Sequence, residues 1–301
     1  MNAPGGQASD DDGRPALFSD YSGRAVSEYF RMARWEGPVT PGGDPLFGAR
    51  VPIDQHERGP AGGIRAGALV SVLDSVGGMM SGLSVLPRWI VTTNLMVRFA
   101  RLDHVGPLRV GGRVLRTGTA SVVSGMVVAD EGQGDAIVAT AIATMAILEP
   151  NDMHLDFVRP VCVPAPDPPE HQVPVDDFFS LEPGDGPTTR LDLVEHLRNP
   201  WGILHGGAVA ILADEAATRA AAAAVGAMPG SPGGPALLAA SDVVIHYTKP
   251  NRVGPIEARP TVVGDRGDAV VVRVPIHDVG ADDRMTAVAT VTVRRLPAAG
   301  G

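Results

Sequence analysis

The sequence predicts an α+β fold in which one lobe is built twice, each copy an antiparallel sheet wrapped around one long helix. Two observations carry this. The first is an internal repeat. Residues 58–74 (RGPAGGIRAGALVSVLD) and 198–214 (RNPWGILHGGAVAILAD) share Arg58/Arg198, Gly62/Gly202, Gly67/Gly207, Ala68/Ala208 and Asp74/Asp214, always 140 positions apart. Further on, FARLDHVGPL (99–108) matches YTKPNRVGPI (247–256) at an offset of 148, and the eight extra residues fall in AMPGSPGGPA (227–236). Two matches in one order, separated by one short insertion, read as duplication. The second observation is that each copy shows the same succession: short strand, glycine-bearing loop, long helix, several strands.

Taken in order, residues 1–20 carry no basic run followed by an apolar one, so they read as a disordered acidic tail and not a secretory signal. The first lobe is expected over 21–150, with a strand at 47–54. Its helix is expected at 64–84, a stretch rich in Ala, Leu, Val and Met. Four β-branched, alternating runs follow at 91–99, 108–116, 121–129 and 136–148, punctuated by Gly, Pro and Asp. The proline-rich segment 151–175 is the expected linker. The second lobe is expected over 176–297, with a strand at 188–194, a helix at 203–225, and strands at 236–247, 256–263, 269–276 and 284–295.

Composition bounds the function. The chain has 301 residues, 44% hydrophobic and 20% charged, enough to bury a core, and with 4% aromatics that core must be aliphatic. A net charge of −9 without a basic stripe argues against nucleic acid as a partner. The stretch 203–228 reads as the most apolar, yet it contains Asp214, Glu215 and Arg219, a poor membrane span. Cys162 is the sole cysteine, so no intrachain disulfide exists, and a reducing, cytoplasmic setting is expected. No histidine spacing suggests a metal site, and no G-x-S-x-G elbow is present. No cofactor is expected.

Within the second copy, Asn199, Gly202, His205, Gly206 and Gly207 spell N-x-x-G-x-x-H-G-G, and Asp214 follows nine residues after the histidine. This resembles the hot-dog fold, in particular the PaaI-like and 4-hydroxybenzoyl-CoA group of acyl-CoA thioesterases. The resemblance covers nearly the whole chain as two lobes in tandem, a pseudo-dimer. The first copy departs from the motif, with Gly59 for the asparagine and Arg65–Ala66–Gly67 for His-Gly-Gly. The resemblance implies hydrolysis of acyl-CoA to free acid and CoA.

Thioester hydrolysis needs donors facing the carbonyl oxygen as it becomes an oxyanion, and a carboxylate that attacks or activates water. A helix N-terminus supplies the donors, because its first N–H groups have no intrahelical partner and its dipole favours negative charge. Gly206 fits that place; Asn199 is expected to orient the carbonyl or the attacking group, and His205 to fix the loop or donate to the thioester. Gly206 and Asp214 lie eight residues apart on one helix, roughly 12 Å at the helical rise, too far to share one carbonyl. In the resembling family loop and acid come from different subunits, which implies that Asp74 of the first lobe serves the second-lobe loop. Family members also place a hydroxyl at the start of the strand after the helix, which implies Thr92; its mate in the second copy is Ala240.

The two sites are therefore expected to be unequal. One combines Asp74, Thr92, Asn199, His205 and Gly206, with Gly207 against substrate. The other combines Gly59, Arg65 and Ala66 with Asp214, Glu215 and Ala240; there Asp214 and Glu215 are expected only to bind. Met79, Met80 and Met96 are candidates to line an adaptable pocket, and Cys162 is expected to be inert. A non-catalytic acyl-CoA-binding scaffold and an acyl-thioester hydratase or dehydratase are the alternative functions. Two such chains are expected to pair as a homodimer.

Overall fold

The computed structural model describes residues 24–38, 45–149, 162–168, 172–199, 201–226 and 237–296; the tail 1–20 and much of the linker lie outside them. In the first lobe, α1 (Arg24–Tyr29), β1 (Ala33–Pro38) and β2 (Pro45–Val51) precede α2 (Ala66–Leu83). Then come β3 (Trp89–Phe99), β4 (Leu108–Thr117), β5 (Ser121–Asp130) and β6 (Ala136–Leu148). After β7 (Cys162–Val163), the second lobe runs through α3 (Val175–Phe178), β8 (Leu181–Pro183), β9 (Thr189–Leu191) and α4 (Gly206–Ala224). It ends with β10 (Leu238–Tyr247), β11 (Ile256–Ala258), β12 (Thr261–Asp265), β13 (Ala269–Asp278) and β14 (Arg284–Arg295).

Among the described residues the strands form one antiparallel sheet, ordered β7-β1-β2-β4-β5-β6-β3-β10-β14-β13-β11-β9-β8, with β12 on β13. The lobes meet at the β3–β10 seam, where Asp242 pairs with Arg98, Val244 with Met96 and His246 with Asn94. Both seam strands carry an irregularity at the same place in the repeat, between Thr92 and Asn94 on β3 and between Ala240 and Asp242 on β10. Such a bulge inserts one residue and re-aims its neighbours. The extra residues, Thr93 and Ser241, each hydrogen-bond a carbonyl of the next strand, Thr144 and Thr292.

The two helices cross on the inner face of the sheet. The identical glycines of the repeat make the crossing close. A Cβ on Gly67 would lie 2.8 Å from Ile211 Cα and 2.9 Å from Asp214 Cβ. One on Gly207 would overlap Ser71 Oγ and lie 2.8 Å from Ser71 Cα. The core is aliphatic, with Leu69, Val72, Leu73 and Val76 of α2 and Ala213, Ala216 and Ala217 of α4 wholly buried. By length and composition α2, and not the 203–228 stretch, is apolar enough to cross a membrane, but 83% of it is buried within the protein, as befits a core helix.

Several elements differ from the sequence expectation. The strand expected at 47–54 ends at Val51, because Asp54 begins a 3-10 turn (Gln55–Glu57) as its N-cap. The strand expected at 256–263 is two, β11 and β12. Within the expected linker, Cys162 pairs with Trp35 at the sheet edge and is exposed. The duplication also reaches further back than the sequence showed. Tyr29–Phe30 and Phe178–Phe179 end the two short helices, and Tyr29 stacks on Phe178 with centroids 4.2 Å apart.

One buried group breaks the repeat. Glu57, wholly buried, occupies the place of Leu197, also wholly buried. Burial pushes its carboxyl up to about 8, only partly offset by the Asp54 N–H that it accepts at 3.2 Å. The unfolded carboxyl releases its proton near its ordinary value of 4.5, so between 4.5 and about 8 the folded chain binds more protons. Stability therefore falls as pH rises through that window, by up to about 1.4 kcal/mol per pH unit. Glu57→Gln is expected to flatten the slope in denaturant titrations at pH 5 and pH 8. Equal slopes in variant and wild type would remove Glu57 as its source.

Candidate active site

The second-lobe loop is shaped by its own residues. Gly202 adopts φ +67°, a left-handed turn conformation that favours glycine. Arg198 braces the turn by donating to Gly202 O at 2.6 Å, as Arg58 does to Gly62 O in the first lobe. Asn199 Oδ1 accepts the N–H groups of Trp201 at 2.9 Å and Ile203 at 3.4 Å. Its carbonyl oxygen is thus engaged in holding the loop, which fixes the side-chain amide in place. His205 is the N-cap of α4, its Nδ1 accepting the Gly207 N–H at 3.0 Å. That bond requires an unprotonated Nδ1 and puts the proton on Nε2. Burial depresses the His205 pKa below its ordinary value, against the opposing pull of Asp74, so the ring is neutral at pH 7.

The structure brings Asp74 of α2 to this loop from the other lobe. Asp74 is 6% exposed, and its Oδ1 accepts the Thr92 hydroxyl at 2.8 Å. Its Oδ2 lies 3.7 Å from His205 Nδ1, beyond hydrogen-bond range. A Cβ on Gly206 would be 2.7 Å from the same oxygen, so only glycine lets the start of α4 come this near the carboxylate. The Gly206 carbonyl accepts the Tyr247 hydroxyl at 2.9 Å. Its N–H, the first of the helix, has no partner among the described residues. Asp74, Thr92, His205 and Gly206 thus converge on one point. Gly207 does not face it: its N–H is taken by His205 and its Cα abuts Ser71, so its role is helix packing and not substrate contact.

These groups open into a cavity of about 470 Å³ that also takes in Asn199, Trp201, Tyr247 and Asn251. Among the described residues, Trp201 Nε1 and Asn251 Oδ1, both on lining residues, are buried without hydrogen-bond partners. Exposed Lys249 and Arg252 line it as well, which puts them at its mouth. Of the three candidate methionines only Met79 lines the cavity; Met80 packs toward Gly112 of β4, and Met96 lies in the seam. Tyr247, Trp201 and Asn251 were missed in the sequence. Tyr247 had a readable signal, since its mate in the first copy is Phe99 and the hydroxyl is new.

The repeated elements form a second, smaller cavity of about 250 Å³ lined by Gly59, Arg65, Ala66, Asp214, Glu215 and Ala240. Here the acid itself caps the helix: Asp214 Oδ2 accepts the Gly67 N–H at 2.9 Å. Arg65 stands in the place of His205 and donates to Glu215 at 2.9 Å and Asp176 at 2.6 Å. Burial pushes Asp214 and Glu215 upward, with Arg65 opposing it. The two expected substrate-binding acids are therefore occupied by the protein's own donors and lie apart from the first cavity. Among the described residues no group of His, Cys, Asp or Glu is arranged to hold a metal ion.

No curated protein sequence matches the chain. Several solved structures share its fold. The 12:0-ACP thioesterase of Umbellularia californica aligns with a TM-score of 0.56 at 11% identity, covering 83% of this chain and 94% of that one. The TesB protein of Mycobacterium avium subspecies paratuberculosis aligns at 0.55 and 14%, covering 92% of this chain and 99% of that one. A hot-dog-fold protein from Alicyclobacillus acidocaldarius aligns at 0.54 and 15%, covering 91% and 98%. The fold is thus a tandem hot-dog. The family model of the thioesterase superfamily matches residues 63–137 and 202–292, once in each lobe. With its two lobes each carrying that match, the chain belongs to the thioesterase superfamily.

Proposed function

We propose that the chain hydrolyses acyl-CoA thioesters at the larger, interlobe cavity. The observation that carries this reading is the meeting of Asp74, from one lobe, with the unpartnered N-terminal N–H of α4, from the other. A thioester carbonyl oxygen set against the Gly206 N–H gains a donor and the positive end of a helix dipole as it becomes an oxyanion. The Asp74 carboxylate attacks the carbonyl carbon or takes a proton from the attacking water. Thr92 holds its other oxygen in place. The C–S bond breaks, water's hydroxyl ends on the acyl carbon, and the proton ends on the thiol.

The rest of the cavity suits a pantetheine arm. Its amide carbonyls are acceptors for Trp201 Nε1–H and its amide N–H groups are donors for Asn251 Oδ1, two atoms buried without partners among the described residues. Lys249 and Arg252 at the mouth suit the phosphates of CoA. The test offers acyl-CoA, the matching acyl-carrier-protein thioester and an enoyl-CoA to the full chain, following free thiol and enoyl absorbance. Thiol release from acyl-CoA is the expected result. Release only from the carrier protein, hydration of the enoyl-CoA without thiol release, or tight binding without turnover each overturns the reading.

A further inference from the structure

Helix α2 carries glycines of two kinds. Gly67 is required by the helix crossing, and Gly77 is closely packed: a Cβ on it would lie 3.1 Å from Met126 Cε and 3.4 Å from Ala143 Cβ. Gly78 and Gly82 are not. A Cβ on Gly78 would have only Ile90 Cδ1 near it, at 3.9 Å, and one on Gly82 only Ile90 Cγ1, at 3.7 Å. Glycine within a helix is the costliest ordinary residue after proline, and here neither contact nor backbone conformation calls for it. Both glycines line the 470 Å³ cavity. They follow Asp74 at intervals of four, so Asp74, Gly78 and Gly82 share one helix face.

We infer that Gly78 and Gly82 form the floor of the acyl groove and that Gly82 sets the length of chain the site accepts. The inference rests on the acyl-thioester reading above. The mouth, with exposed Lys249 and Arg252, lies at one end; Gly82 is buried and Ile90 is 9% exposed, so this end points inward. From Asp74 to Gly82 the helix advances about 12 Å, the span of roughly nine methylenes in an extended chain. Bare backbone on that face lets an alkyl chain lie against the helix, with Met79, Ile90 and Leu148 as its other apolar walls. In the second lobe the residues at the matching positions are Thr218 and Ala222; among the described residues Thr218 lines the smaller cavity, which is about half the size at 250 Å³, and Ala222 does not.

The experiment compares wild type, Gly82→Leu and the milder Gly82→Ala and Gly78→Ala on butyryl-, octanoyl-, decanoyl- and lauroyl-CoA. Binding of the butyl- and decyl-CoA thioethers, which are not hydrolysed, is measured alongside. In Gly82→Leu the decanoyl-to-butyryl ratio of kcat/KM is expected to fall about tenfold or more, the loss of roughly two buried methylenes. The thioether binding ratio falls with it. Gly78→Ala and Gly82→Ala melt at or above the wild-type temperature while their ratios fall less, which keeps the test clear of misfolding. If wild type hydrolyses acyl-CoA and Gly82→Leu keeps the wild-type ratios, the groove is overturned and the hydrolase reading stands. If wild type favours decyl- over butyl-CoA thioether, Gly82→Leu loses that preference, and no thioester is cleaved, the groove stands and the hydrolase reading falls.

Discussion

Asp74→Asn is expected to lower kcat for thioester hydrolysis by about a thousandfold, within the range lost when a positioned base is removed. The substitution is nearly isosteric, and the amide oxygen still accepts the Thr92 hydroxyl, so KM and melting temperature stay near the wild type. The loss falls in the chemical step because an amide neither attacks a thioester nor takes a proton from water. Asp214→Asn is the internal control. Asp214 has the same place in the repeat and similar burial, 5% against 6% exposed, but it already accepts the Gly67 N–H. Its amide oxygen still fills that bond, and kcat stays close to wild type. Steady-state thiol release from both variants decides the matter. Full activity in Asp74→Asn, or equal losses in the two, would falsify the assignment of chemistry to the Asp74 cavity alone.

The largest expected loss of stability comes from Gly207→Ala. The new methyl meets backbone, Ser71 Cα at 2.8 Å, which cannot rotate away, so α4 must withdraw from α2. Overpacking of this kind costs roughly 1–3 kcal/mol. Gly67→Ala meets Ile211 Cα at the same 2.8 Å and is expected to cost a similar amount. Denaturant midpoints measure both. The activity of folded Gly207→Ala also drops, because withdrawing α4 moves Gly206 away from Asp74. A midpoint equal to wild type in either variant would show that the crossing is looser than its glycines imply.

Much of this was legible because the same physical demands recur in each lobe. Arg58 and Arg198 brace equivalent turns, Gly62 and Gly202 take the same left-handed conformation, and Gly67 and Gly207 make the same crossing. A fixed offset between such residues shows through drift elsewhere. The helices and most strands follow from it, while the pairing of Asp74 and Thr92 with the His205–Gly206 loop is what the family resemblance implies. What stayed hidden depends on contacts between distant segments. The short N-terminal helices of the lobes are held by the Tyr29–Phe178 stack, and neither sequence is long enough to show a period. Gly207 and Gly206 are adjacent and identical in type, and only the three-dimensional crossing separates a packing glycine from one beside the carboxylate. Trp201 and Asn251 emerge as candidates through their buried, unpartnered atoms, a property of the folded chain.

The β3–β10 seam has a consequence for how the site survives dilution. When loop and acid belong to separate chains, the site exists only as far as the chains associate, and its population falls with concentration by mass action. Here the strands that join the lobes, and the α2 and α4 residues that meet across them, belong to one covalent chain. The encounter of Asp74 with Gly206 is intramolecular, governed by an effective concentration that the intervening chain sets and that dilution leaves unchanged.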